Sequence, residues 1–251
     1  MDKRKNYYMV LDTETANDFD DPIVYDIGAS IIDKKGNVYE TVSLIIYDVF
    51  FEMEDLMRSA YYYDKRDMYL EEINKGLHKI VRYSTAKAII NDLARKWNVK
   101  AIMAHNAPFD YRSTTRTQRY LTKSKSRYFL PYGIELWDTL KMARDTIGKT
   151  KSYRQWCIDN DYTTKNGQPR FTAEILYRYL SGEEDFIESH TGLADTLIEK
   201  DIFAYCLRYH KPMRKKAFEW VKNDSLFFMR WVRRNTSNYG TGALQRIKVR
   251  K

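Results

Sequence analysis

Apolar and polar positions divide the chain into strand-like and helix-like segments in a definite order. Residues Tyr7 to Leu11 carry no charge and are rich in strand formers, and the run stops at Asp12-Thr13-Glu14. An apolar run of this length predicts a strand buried on both faces. Ile23 to Asp33 is mostly apolar, Lys34 to Asn37 is turn-like, and Val38 to Phe51 is β-branched and aromatic. Together they predict a hairpin, so that the first three strands are antiparallel. From Glu52 to Trp97 the spacing becomes helical, most clearly where Ala88, Ile89, Leu93 and Trp97 recur. The Tyr61-Tyr62-Tyr63 triplet is predicted to lie on a half-buried helix face rather than to stack on nucleobases.

Lys100 to Ala104 is a short apolar strand leading into His105-Asn106-Ala107-Pro108-Phe109-Asp110. Pro108 suits the first turn of a helix, which puts Asp110 near that helix's start, just past a strand end. A second short strand, Ile134 to Trp137, is followed by Asp138 as N-cap and a helix over Leu140 to Ile147. Helices are also predicted from Ser152 to Ile158 and from Thr172 to Tyr179, the latter ending at Gly182. A long helix enters at Gly192 and runs to Tyr209, with Leu193, Leu197, Ile198, Ile202, Tyr205 and Cys206 as its apolar stripe. Pro212 ends it, and Arg214 to Arg234 reads as a basic amphipathic helix or helix pair. Strands and helices mixed in this order make an α/β protein.

Charge adds a division that the apolar pattern lacks. The net charge is +9, yet Lys211 to Lys251 holds 12 basic residues against Glu219 and Asp224. The expected organisation is a body over 1–210 and a basic, aromatic-containing C-terminal extension over 211–251. A concentrated basic block points to a polyanion such as nucleic acid, or to a docking segment for a protein partner. No run approaches the roughly 18 apolar residues of a membrane span, so no membrane partner is expected. The N-terminal residues contain no signal-peptide apolar region, and Cys157 and Cys206 lack metal-type spacing, which together favour a cytoplasmic setting.

The candidate chemistry sits at element ends. Residues i and i+2 of a strand share a face, so Asp12 and Glu14 project together from the end of a core strand. Two adjacent carboxylates raise each other's pKa, and a hard divalent cation between them removes that cost. Alone, a D-x-E is more readily an N-cap plus a surface acid, and Asp110 alone is more readily a helix-dipole acid. His190 lies on the loop before the long helix and Asp195 in its first turn. Arg112 to Arg127 contains six basic residues and no acid, with Ser and Thr between them, all phosphate-binding types.

Taken in order, D-x-E, then H-N-x-x-F-D, then H-x-x-x-x-D is a specific combination. It resembles the DEDDh, DnaQ-like 3′→5′ exonucleases, across about residues 6 to 209. Asp12 and Glu14 match the first motif, Asn106, Phe109 and Asp110 the second, and His190 and Asp195 the third. Asp138-Thr139 resembles the D-T that follows the second motif in many relatives. The chain departs from the pattern at Thr15-Ala16-Asn17, where many relatives have Thr-Thr-Gly, and the long interval before His190 is a second departure.

The resemblance implies an RNase H-like mixed sheet, three antiparallel strands followed by parallel ones, flanked by helices. It implies hydrolysis of phosphodiester bonds from a single-stranded 3′ end, releasing nucleoside 5′-monophosphates. Two divalent cations, Mg2+ or Mn2+, would be held by Asp12, Glu14, Asp110 and Asp195, with His190 as general base. Thr13, Thr15, Asn106, Arg112 and Arg116 are the expected substrate contacts. The basic segments favour a long strand, DNA over RNA, and make the extension a candidate docking site for a polymerase or replication partner. The alternatives are an RNA-processing exoribonuclease and a non-catalytic binding or tethering module of the same fold.

Overall fold

The computed structural model describes residues 2, 4–17, 20–122 and 127–218. Strand β1 (Tyr7–Ala16) is an inner strand of the sheet, with a strand paired on either side. Its odd residues Tyr7, Met9 and Leu11 enter one apolar cluster, and its even residues Tyr8 and Val10 enter a second on the opposite face. All five are 5% exposed or less, and each fully buried large side chain contributes about 1.5–3 kcal/mol. The even face continues past Val10 into Asp12 and Glu14. The first core cluster and the acids therefore lie on opposite sides of one strand.

Strands β2 (Ile23–Asp33) and β3 (Val38–Ile46) follow as the expected antiparallel meander. The third strand is shorter than expected. After Ile46 the chain turns into helix α1 (Tyr47–Phe50), because Val49 and Phe50 are buried there and Asp48 accepts from the Tyr83 amide at 2.7 Å. Helix α2 (Glu54–Met57), a 3₁₀ turn (Tyr63–Lys65) and helix α3 (Arg66–Asn74) come next. Tyr61 and Tyr62 stand in a turn between α2 and the 3₁₀ turn, not on a helix face. A three-residue strand, β4 (Lys79–Val81), pairs in parallel with β3. The sequence conceals it, since two of its residues are exposed and three residues carry no readable alternation.

Helix α4 (Tyr83–Lys96) leads to β5 (Ala101–Ala104), parallel to β1, and then to α5 (Ala107–Leu121), with proline in its first turn as expected. Strand β6 (Glu135–Asp138) is parallel to β5, and Asp138 caps α6 (Thr139–Asp145) by accepting from the Leu140 amide at 3.0 Å. Helices α7 (Lys151–Asp159), α8 (Ala173–Ser181) and α9 (Gly192–Arg208) complete the body. The sheet order is β4-β3-β2-β1-β5-β6, which is the mixed sheet expected from sequence.

The predicted stripe of α9 is only partly its packed surface. Ile198, Ile202 and Cys206 are buried, but Leu197 is 37% exposed, while Asp195, Thr196 and Glu199 are buried. Ser30 and Thr196 explain part of this, with hydroxyls 2.5 Å apart between β2 and α9. Among the described residues beyond Pro212, 213–218, the chain is not helical. The Asp138 amide donates to Lys215 and the Ala217 amide to Leu136, at 2.7 and 2.9 Å, so the segment covers the β6 edge. Arg214 ties it down with two bonds to Asp145. The rest of the predicted basic helix, and Lys123 to Ser126 of the basic segment, lie outside the described residues. Cys157 and Cys206 are both free thiols, buried in the core.

Candidate active site

Helix α9 reaches the end of β1 because two glycines leave room for it. A Cβ on Gly28 would lie 2.0 Å from the carbonyl carbon of Gly192, and one on Gly192 would lie 2.6 Å from the Gly28 amide nitrogen. Gly28 is the β2 partner of Asp12 in the sheet register. The helix start thus rests on backbone beside Asp12, and its first turn carries Asp195. Asp26, two residues away on β2 and paired with Glu14, fixes this docking. It is fully buried, and its Oδ2 accepts from the Gly192 amide and the Tyr69 hydroxyl, both at 2.8 Å. A carboxylate at a helix N-terminus also complements the helix dipole. Sequence reasoning missed Asp26 and Gly28, although an acid and a glycine inside an apolar strand were the available signals.

The expected catalytic residues gather where β1, α5 and α9 meet. One ligand atom each of Glu14, His190 and Asp195 lies within 4.8 Å of the others. Asp12 is pushed up first by its burial and then by the negative charges of Asp110, Glu199, Asp195 and Glu14 around it. Asp110 is buried in the first turn of α5, and the Thr13 hydroxyl donates to its Oδ1 at 2.8 Å. Burial, with neighbouring acids, pushes Asp12 and Glu14 well above the usual carboxylate range. Burial first raises Asp110 to about 7 and Asp195 to about 8, the latter also through Glu188 and Asp26.

Glu199 is a further acid that the sequence reading passed over. It lies one helical turn after Asp195 on α9, is 2% exposed, and accepts from the His105 amide at 3.0 Å through Oε1. Its Oε2 is buried and unpartnered. Burial raises it well above its usual value, with Asp110 the next cause. A buried acid one turn from a predicted ligand was the available signal, but it sat within an apparently ordinary helix stripe.

A hard divalent cation fits this donor set. Oxygen ligands dominate, no thiol is near, and the uncompensated acids can ionise together only beside positive charge. Lys65 is the cation that lowers Glu14, Asp195 and Glu188. His190 has a left-handed backbone, φ 52°, which is uncommon outside glycine. Burial and Lys65 hold its imidazole down at about 4, so it is neutral near pH 7.

The expected substrate contacts divide. Thr13 faces inward onto Asp110. Thr15 is half-buried, just after a β-bulge that begins at Glu14; bulges beside sites re-aim side chains. Asn106 is exposed and takes φ 67° as the N-cap of α5, a conformation asparagine tolerates. Arg112 is exposed, with its guanidinium over the Phe109 ring. Arg116 is engaged in an ion pair with Asp21.

No protein-family model and no curated protein matches the sequence. Solved structures do match by shape. The nuclease domain of 3'hExo, a DEDDh family member bound to rAMP, aligns with TM-score 0.53 at 12% identity, over 86% of this chain and all of that one. Exonuclease I of E. coli in complex with a 5cy-dT13 oligonucleotide aligns with TM-score 0.52 at 16% identity. That match covers 81% of this chain and 41% of the larger enzyme. A second complex of exonuclease I, with a dT13 oligonucleotide, gives TM-score 0.52 at 15% identity. At these identities the likeness establishes architecture alone: the chain shares the α/β fold of the 3'hExo nuclease domain and of the matched part of exonuclease I.

Proposed function

We propose that the protein is a metal-dependent 3′→5′ exonuclease that acts on single-stranded nucleic acid, DNA in preference to RNA, and releases nucleoside 5′-monophosphates. The observation that carries this reading is the meeting of Asp12, Glu14, Asp110 and Asp195 with His190 at the joined ends of β1, α5 and α9. Four buried or half-buried acids in one place are costly for a fold unless a ligand uses them.

Asp12, Glu14 and Asp195 would hold one divalent cation, and Asp12 with Asp110 the second. When bound, such a pair stabilises the attacking and leaving oxygens of phosphodiester hydrolysis. The chain's own residues do the rest. Thr13 orients the Asp110 carboxylate. Asp26 and the Gly28–Gly192 contact hold α9 so that Asp195 faces β1. His190, neutral near pH 7, has a ring nitrogen free to take a proton from the attacking water and is close to Glu14 and Asp195. The water proton passes to the imidazole as the water oxygen bonds to phosphorus and the P–O bond to the 3′ oxygen breaks, and the departing 3′ oxygen takes up a proton from solvent.

The basic block beyond residue 210 suits a grip on a longer polyanion, or a docking site for a polymerase or replication partner, and is proposed to work as an extension of the catalytic body. The test uses 5′-labelled single-stranded DNA and matched RNA with Mg2+, Mn2+ or EDTA. A ladder shortening from the 3′ end, lost in EDTA and in Asp12→Ala, supports the reading, and the faster polymer names the preferred sugar. Binding of both polymers without cleavage of either overturns it.

A further inference from the structure

We infer that the Tyr62–Tyr69 stretch is a clamp that positions His190, and that Tyr62 is its main element. The inference rests on the reading of His190 as the general base. The Tyr62 ring lies 4.2 Å from the imidazole, centroid to centroid, with the planes 15° apart. This is a stacked pair between groups 128 positions apart in sequence. Two further residues hold the same loop by its backbone. Lys65 donates to the Ser189 carbonyl at 2.6 Å, and its ammonium also stands 4.6 Å from the Tyr62 ring centre. The Tyr69 hydroxyl lies 3.5 Å from the His190 carbonyl while donating to Asp26 at 2.8 Å.

The loop needs such support. His190 stands in the left-handed region, a conformation that persists in a non-glycine residue only where its surroundings impose it. The imidazole is 27% exposed, and its nearest carboxylate, Glu188, is 3.8 Å from Nδ1, beyond hydrogen-bond range. No hydrogen bond to the ring is present among the described residues, so stacking fixes its plane where a hydrogen bond would otherwise do so. A base displaced by about 1 Å can lose on the order of a hundred-fold in rate. The tyrosine triplet therefore serves the catalytic histidine, through its middle ring, rather than a nucleobase.

The test is a double-mutant cycle with an independent spectroscopic readout. Tyr62→Leu is expected to lower kcat roughly ten- to hundred-fold with KM within about two-fold of the parent. Tyr62→Phe, which keeps the ring, should restore most of that loss. In a His190→Ala background, Tyr62→Leu should cost nothing further. The chain has four histidines, so the His190 ring protons can be assigned by difference with His190→Ala. Tyr62→Leu should shift them as the stacked ring is removed, and Tyr62→Phe should leave them nearly in place. If Tyr62→Leu costs as much without His190 as with it, or raises KM with kcat intact, the positioning role is wrong. If His190→Ala abolishes turnover while Tyr62→Leu does not lower it, the clamp alone falls. If His190→Ala retains turnover, the general-base reading falls and the inference with it.

Discussion

Gly28 and Gly192 touch backbone to backbone, and the whole candidate site depends on that contact. A methyl group on Gly28 would sit 2.0 Å from the Gly192 carbonyl carbon and 2.1 Å from the Leu193 amide nitrogen. Neither obstacle is a side chain that can rotate away. Gly28→Ala must push α9 off the sheet, taking Asp195 from Glu14 and Asp12. We expect a loss of at least about 1–3 kcal/mol of stability, as for overpacked cores. Turnover should fall more than the folded fraction does. Thermal melts and kcat measured on the folded fraction check this, and unchanged turnover would sink the idea that this contact seats Asp195.

Thr13→Val tests the support of Asp110 without touching a carboxylate. It keeps the shape and removes the hydroxyl that donates to Oδ1. That bond favours the ionised form and opposes the upward push of burial. Its loss should raise Asp110 further, weaken divalent-ion binding several-fold at pH 7, and lower turnover more at low than at saturating Mg2+. Calorimetric Mg2+ titration and the metal dependence of rate read this directly.

The pH dependence of stability follows from the raised acids. Asp110 and Asp195 titrate at about 7 and about 8 in the fold, against a usual 3.8. Between those limits the unfolded chain holds fewer protons than the folded one, so metal-free stability falls as pH rises from about 4 to about 8. His190, held near 4 against a usual 6.5, acts oppositely below pH 6.5, where stability falls as pH falls. The clean window is therefore pH 6.5 to 8. Melting temperature in EDTA should drop across it, and the Mg2+-induced rise should grow, because ionised ligands bind metal. A Mg2+ effect that shrinks toward pH 8 would contradict the assignment of these acids as ligands.

Glu199→Gln separates fold from function. The amide oxygen can still accept from the His105 amide, while the negative charge beside Asp110 and Asp12 disappears. In EDTA at pH 8 the variant should be more stable by about 1–2 kcal/mol, which is a few degrees in Tm for a chain of this size. Its affinity for Mg2+ should fall, since one charge has left the site. A lower Tm in EDTA would mean that Glu199 is held protonated as a needed hydrogen-bond donor.

Much of this arrangement could be read along the chain, because its signals are local. Alternation in β1 put Asp12 and Glu14 on one face. Pro108 announced the start of α5 and hence the place of Asp110. Gly192 announced α9 and hence Asp195 in its first turn. The three antiparallel strands followed from the hairpin signal, and the parallel strands beside them from the family resemblance. Elsewhere local pattern misled. Tyr61 to Tyr63 suggested a helix face because aromatic rings bury well anywhere, and the strand β4 was too short to show a period.

Residue types and element ends are properties of a local segment, so the sequence could nominate five candidate site residues, through the ordered motifs of the family it resembles, and the elements that carry them. Distance between segments is decided by packing. That α9 comes close enough to β1 to use Asp195 depends on two glycines 164 positions apart. That Asp26 is a helix anchor, Glu199 a neighbour of Asp110, and Tyr62 a plate beneath His190 depends on which faces meet across the order β4-β3-β2-β1-β5-β6. No periodicity encodes these pairings, because each arises only once the apolar faces of remote segments have been buried against each other.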